Sequence, residues 1–327
     1  MSIFIFPSRK ISTASQLPLT LISLEEWALV SIQGIDSSSY LQTQLTIDIC
    51  SMERTRYYFA AHCNAQGKMW SNLCLFHHRQ GYSYLLRRSV CEQQISELKK
   101  YAIFSKVTII PDNNIALLGI AGVDARFVLS NFFNLLPNAK TSMIEEDETV
   151  ILWFSEPKER FLLATTFIKA QQLKDKLIAV AQFNNSNQWV ALDIEAGIPI
   201  IDSPNSAKLI PQATNLQMFN AISFKKGCYI GQEIVTRTKF RGTNKHALYW
   251  LLGKCSLVPK LTDSMELQIG SKWRKTGIIL SAVKLEDGNI SAQVVLNNNL
   301  KPDSIFRLND DNEGKFTIQT LPYSMIQ

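Results

Sequence analysis

Residues 224–233 read Phe224-Lys225-Lys226-Gly227-Cys228-Tyr229-Ile230-Gly231-Gln232-Glu233, followed by Arg237, Lys239 and Arg241. Two glycines bracket a thiol, and Gly227 and Gly231 permit the sharp backbone turns that a side chain would hinder. Gln232-Glu233 has the character of a first helical turn, which would bring backbone N–H groups toward Cys228. With Lys225 and Lys226 beside it, such a thiol would ionise more readily than a free one. Residue type fits a second environment as well: Cys228 as a small buried apolar group, with both lysines solvated.

Upstream lies Gln188-Trp189-Val190-Ala191-Leu192-Asp193-Ile194-Glu195-Ala196-Gly197-Ile198-Pro199, an aromatic and two carboxylates ahead of a Gly-x-Pro bend. Glu195 would accept two N–H donors from an amidine-like edge while the Trp189 face stacks on a flat heterocycle. A core tryptophan with an exposed Glu195 satisfies the same residues. Nearer the start, Trp27 to Gln33 reads as a strand running into Gly34, then a helix capped by Asp36 with Tyr40, Leu41 and Leu45 on one face. Trp27, at the edge of that strand, fits a surface platform or a core equally.

Around these segments the pattern is mixed. Residues 70–76, 82–86 and 106–110 read as strands, and Ser89 with Glu92 reads as a capping box ahead of Val90, Ile95, Leu98 and Tyr101 at helical spacing. Strands at 114–119, 150–154 and 161–165 flank a helix over Ala125, Val128, Leu129, Phe132 and Phe133, and another helix surrounds Leu173 and Leu177. Glu145 to Glu148 reads as a solvated turn. From 245 onward the helical period fades, and Glu286-Asp287-Gly288-Asn289 between two apolar runs marks a hairpin in an all-β barrel or sandwich.

At roughly 150 residues per domain, 327 residues make two domains or three small ones. The charge balance, 34 Lys+Arg against 28 Asp+Glu, is mildly basic. It is uneven, with nine Lys/Arg against Glu92 and Glu97 over 54–106, and six against Glu233 over 225–245. Two basic segments flanking a groove would attract a polyanion, although ordinary solvated lysines are the commoner cause of such segments. No apolar run reaches the 18 residues of a spanning helix, so no membrane role is expected, and Ile3 to Phe6 is too short for a signal core. The six cysteines form no C-x-x-C pair, so reduced thiols in a cytoplasmic protein are expected, with no metal site. His77 and His78 would point apart on a strand. No phosphate loop, nucleophile elbow or zincin motif is present.

The run Lys226-Gly227-Cys228-Tyr229-x-Gly231-Gln232-Glu233 with Arg237 resembles the signature of the YgfZ-type folate-binding, tRNA-modifying proteins, relatives of the glycine-cleavage aminomethyltransferase. The likeness extends over the chain, through Leu17–Leu21, Ala60–Asn72, Lys99–Ala102, Ile210–Asn215 and Pro302–Arg307. It implies an α+β, three-lobed, aminomethyltransferase-like folate-binding fold with a C-terminal all-β barrel. The units would be 1–112 with 188–244, then 113–187, then 245–327. It further implies folate or tetrahydrofolate as ligand, a role in tRNA modification and iron–sulfur enzyme maintenance, and indirect effects on replication initiation. Iron–sulfur or tRNA-modifying enzymes would be the partners. Carried over by position, Trp27, Trp189 and Glu195 would contact the folate, and Cys228 would be the signature thiol. One departure stands out: where aminomethyltransferases carry carboxylates after the glycine turn, this chain reads Gly67-Lys68-Met69-Trp70-Ser71-Asn72. A folate-binding accessory protein is therefore expected ahead of an aminomethyl transferase. A direct tRNA-binding module is the third reading.

Overall fold

A computed structural model describes residues 4–309 and 311–324. In chain order the first elements are β1 (Thr20–Ser23), β2 (Trp27–Gln33), α1 (Ser37–Gln44), β3 (Tyr57–Cys63), β4 (Met69–His78), β5 (Gly81–Arg87), α2 (Arg88–Lys99) and β6 (Thr108–Pro111). Then come β7 (Ile115–Ala121), α3 (Ala125–Leu129), β8 (Met143–Glu146), β9 (Thr149–Phe154), β10 (Arg160–Thr166), α4 (Phe167–Leu177), β11 (Gln182–Asn184), α5 (Ser186–Ala196) and α6 (Gln232–Phe240). The C-terminal strands are β12 (His246–Lys254), β13 (Met265–Ile269), β14 (Lys272–Thr276), β15 (Ile278–Lys284), β16 (Ile290–Asn297), β17 (Ile305–Leu308) and β18 (Lys315–Gln319).

These strands make three sheets, ordered β3-β4-β5-β2-β6, β11-β1-β7-β10-β9-β8 and β14-β13-β17-β18-β12-β16-β15. The third is wholly antiparallel along its seven strands, and no ladder among the described residues joins its edges β14 and β15, so it curls without closing. The expected hairpin joins β15 to β16, with Gly288 at φ 84° supplying the left-handed turn residue.

Several local expectations change because partners come from far along the chain. Ser89 does not cap α2, which already begins at Arg88; its hydroxyl donates to Asp202 Oδ1 at 2.5 Å and accepts the N–H of Ser203 at 3.1 Å. Tyr101 lies past the helix end. The Asp36 side chain does not cap α1 but accepts the backbone N–H of Lys106 at 2.7 Å. Phe132 and Phe133 follow α3 in a turn, Glu145 and Glu146 belong to β8, and only Asp147-Glu148 turns, both at positive φ. Strand β1, within 1–112, pairs with β7 and β11 in the second sheet.

The stretch before Gly197 is a helix, α5. Asn185 caps it by accepting the N–H of Asn187, and Gly197 at φ 66° ends it in the left-handed conformation. Every residue of α5 except Asn187 is buried. Its apolar residues join one core with Leu24, Trp27 and Leu29 of the first sheet region, Leu152, Phe154 and Leu162 of the second, and Val283 and Leu285 of the third.

Gly119 of β7 lets α5 approach, since a Cβ there would stand 2.5 Å from the Trp189 ring. Gly119→Ala is expected to cost about 1–3 kcal/mol through overpacking, read as a lower urea midpoint; an unchanged midpoint would show that the ring moves freely. A pH dependence follows from three histidines. Burial pushes His62 down from 6.5 to about 3 and also lowers His77 and His78. The unfolded chain binds protons at 6.5 that the folded chain refuses, so stability should be lost as pH falls from 6.5 toward about 5. A urea midpoint that rises over that interval would contradict this.

Candidate functional site

Trp27 and Trp189 line one cavity. Trp27 opens β2 opposite Arg87 of β5, and Trp189 projects from the first half of α5. The cavity has a volume of about 50 Å³ and opens to solvent, and Arg87, Asn72, Phe154 and Asp193 share its lining. Both rings are deeply set, Trp27 8% and Trp189 2% exposed. The Arg87 guanidinium carbon lies 4.4 Å from the Trp27 ring centroid and that of Arg160 lies 4.3 Å from the Trp189 centroid. Phe154 meets Trp189 edge to face, with centroids 5.7 Å apart at 85°. Arg88 pins the main chain beside Trp27 by donating to the carbonyls of Glu25 and Trp27, each at 2.6 Å.

Glu195 is not in that lining. Its carboxylate accepts the backbone N–H of Ala14 at 3.0 and 3.3 Å, which holds the segment ahead of β1 against α5. Burial pushes its carboxyl up, and the Ala14 N–H opposes the shift. The carboxylate facing the cavity is Asp193, ion-paired to Arg160 at 2.6 Å with both side chains buried. Burial also pushes Asp193 up, against the pull of Arg160. The sequence reading passed over Asp193, Arg87 and Arg160. Helical geometry held the signal for the first: Asp193 is four residues after Trp189 and shares its face, whereas Glu195, six residues on, turns away.

The cysteine motif lies elsewhere, and Cys228 does not line the cavity. Gly227 and Cys228 are exposed, Tyr229 is buried, and Gly231 at φ 84° packs against the carbonyl of Asn64. Gln232 begins α6 as expected, and Glu233 and Arg237 are exposed on it. The two lysines diverge. Lys225 is exposed, but Lys226 is buried and donates from Nζ to the carbonyls of Gln42 (2.6 Å), Leu45 (2.8 Å) and Ile47 (2.6 Å). Its ammonium is spent on the end of α1 rather than on the thiol, and burial lowers its pKa to about 8. Among the other thiols Cys50 is also exposed, while Cys63, Cys74 and Cys91 are buried and pushed up by that burial. Among the described residues no three His, Cys, Asp or Glu side chains are arranged to hold a metal ion, and no helix is long and apolar enough to cross a membrane.

Residues 244–311 match the family described as YgfZ, beta-barrel domain. The chain is 54% identical over 322 residues to the tRNA-modifying protein YgfZ of Serratia proteamaculans (strain 568), covering 98% of each. It is 53% identical over 320 residues to the protein of that name from Escherichia coli O17:K52:H18, again covering 98% of each. The solved structure of glycine cleavage system aminomethyltransferase T from Bartonella henselae matches with a TM-score of 0.77 over 95% of this chain and 88% of its own, at 14% identity. The fold is therefore aminomethyltransferase-like.

Removing the Lys226 ammonium should loosen the turn that presents Cys228. Lys226→Met leaves three carbonyls without their donor and is expected to cost roughly 1–3 kcal/mol, with faster proteolysis between 224 and 231. Wild-type stability and cleavage in that variant would contradict the assigned role.

Proposed function

This chain belongs to the YgfZ family of tRNA-modifying proteins, and from that membership we propose that it serves tRNA modification as a folate-binding accessory to iron–sulfur enzymes, with folate held between Trp27 and Trp189. The observation that carries the reading is the meeting of these two indoles, from distant parts of the sequence, in one open cavity of an aminomethyltransferase-like fold. A pterin has a flat face for stacking and an N–H edge for a carboxylate. Both kinds of group stand in the lining, in Trp27, Trp189 and Asp193.

Binding is favoured over aminomethyl transfer. The strand that follows the glycine turn brings Asn72 to the cavity, where its amide donates to the Pro199 carbonyl at 2.7 Å. The carboxylate of the lining, Asp193, is already paired with Arg160, a poor arrangement for a group that must exchange a proton with a folate nitrogen. Cys228, exposed on its own turn, is the working thiol of this reading and acts on something other than the bound ring.

Titration with 5-formyltetrahydrofolate tests this. Tryptophan emission should be quenched, and Trp27→Ala should weaken binding by about fivefold, the equivalent of about 1 kcal/mol per stacking contact. Both rings are buried, so Trp27→Ala is read only where its urea midpoint shows that it folds, and Trp189→Phe, which keeps an aromatic ring, should keep the fold and lose part of the quench. Cys228→Ser should bind folate normally and fail to support tRNA modification in cells. Binding unaffected by Trp27→Ala would remove the cavity from the reading, and full activity of Cys228→Ser would remove the thiol.

A further inference from the structure

The two basic segments of the sequence differ in what their charges do. In the first, Arg87 is ion-paired to Asp202 at 3.0 Å, Arg88 donates to two carbonyls, and Lys100 pairs with Glu97 at 2.6 Å. In the second, Lys225, Arg237, Lys239, Arg241 and Lys245 are all exposed, and none forms a salt bridge among the described residues. Glu233 is the only acidic residue between 224 and 246. These cations gather around α6. Val235 and Thr238 are the buried residues of that helix, while Arg237, Phe240 and Arg241, spaced i, i+3 and i+4, share another side. Phe240 is 72% exposed. Its ring meets Phe224 edge to face, with centroids 6.4 Å apart at 73°, and the Lys239 ammonium lies 4.0 Å from the centre of the Phe224 ring. Cations in a last helical turn offset the helix dipole, which accounts for Arg237 and Lys239 but not for Lys225 or Lys245, and for no part of an exposed phenyl ring.

We propose that the end of α6 and the turn before it form a docking surface for single-stranded RNA, with Phe240 stacking on a base and Lys225, Arg237, Lys239, Arg241 and Lys245 neutralising phosphates. Each nucleotide of such a strand offers a flat face and a negative charge, so one free ring among unneutralised cations matches both. An anionic membrane would take the same charges but needs a broad apolar face, and Phe240 is the only exposed large apolar side chain from 224 to 246 among the described residues. That the strand is RNA rests on the tRNA-modification reading above; the surface does not, and neither depends on the folate cavity. The patch adjoins the thiol turn, since Gln232 of α6 reaches back from Nε2 to the Gly227 carbonyl at 3.5 Å. A strand laid along it passes beside the exposed Cys228.

Fluorescence anisotropy on the full chain tests this with a labelled oligouridylate of about 20 nucleotides, the matching oligothymidylate, an RNA duplex of similar length and phosphatidylglycerol vesicles. Oligouridylate affinity should fall with salt at a log–log slope of roughly −3, from five cations at about 0.7 each. Lys239→Ala and Arg241→Ala should each make that slope shallower by about 0.7. Phe240→Ala should weaken oligouridylate by about fivefold or more with the slope unchanged, and change the duplex by less than about twofold, because paired bases offer the ring no face. The exposure of Phe240 should leave the urea midpoint of that variant at the wild-type value. Lys140→Ala, an exposed cation between α3 and β8, should alter neither affinity nor slope. Oligouridylate affinity unchanged in Phe240→Ala, a loss in Lys140→Ala equal to that in Lys239→Ala, or vesicles bound without oligonucleotide overturns the surface and leaves the folate reading standing. Binding of oligothymidylate without oligouridylate, weakened by Phe240→Ala, keeps the surface and overturns RNA as its occupant.

Discussion

The structure turns on the burial of α5. A helix enclosed on nearly every side cannot leave its buried polar side chains to water, and these find partners elsewhere in the chain. Gln188 exchanges two hydrogen bonds with the main chain of Ser12, at 2.9 and 2.8 Å. Asp193 takes Arg160 of β10, and Glu195 takes the N–H of Ala14. Just past the helix, Gln293 of β16 accepts from Ile200 N–H and donates to the Ile198 carbonyl, tying in the third sheet. A buried ion pair such as Arg160–Asp193 adds little net stability because desolvation offsets attraction, but breaking it is costly. Its effect here is to fix the rotation of α5, and with it the direction in which Trp189 faces.

That rotation explains what was readable in advance. Strands β2, β4, β5, β6, β7, β9 and β10, the hairpin at Asp287-Gly288 and the start of α6 follow from local pattern and stand within a few residues of expectation, whereas β1, β3 and β11 are not among the expected strands and β8 takes Glu145 and Glu146 from an expected turn. Pattern fails where a local motif is overruled by a distant partner. Ser89 turns to Asp202, Asp36 turns to Lys106, and Lys226 leaves its own motif for the end of α1. None of those partners can be inferred from spacing, since they are chosen by tertiary packing. The site was legible to a different degree: Trp27 and Trp189 were drawn together by family resemblance, while their residue types alone fit a core equally. The choice between Asp193 and Glu195 lay within reach of helical geometry and depends on which face of α5 meets the second sheet.

The two chemical features of the chain are separately mounted. The cavity depends on α5 and the two sheets beside it, whereas the thiol turn is fastened to the first unit through Lys226 and through the Ile230 N–H, which donates to the Thr43 carbonyl at 3.2 Å. Folate bound at the first would leave the second free to meet another molecule. This division suits an accessory protein better than a transferase, whose reacting groups must converge on one ligand.

The central claim is that the space between the two indoles is the ligand site, and a crystal structure of the chain with 5-formyltetrahydrofolate tests it most directly. The account predicts the pteridine ring between Trp27 and Trp189 with its amino edge toward Asp193. Ligand density outside this cavity, with both indoles still covered only by Arg87 and Arg160, would contradict it.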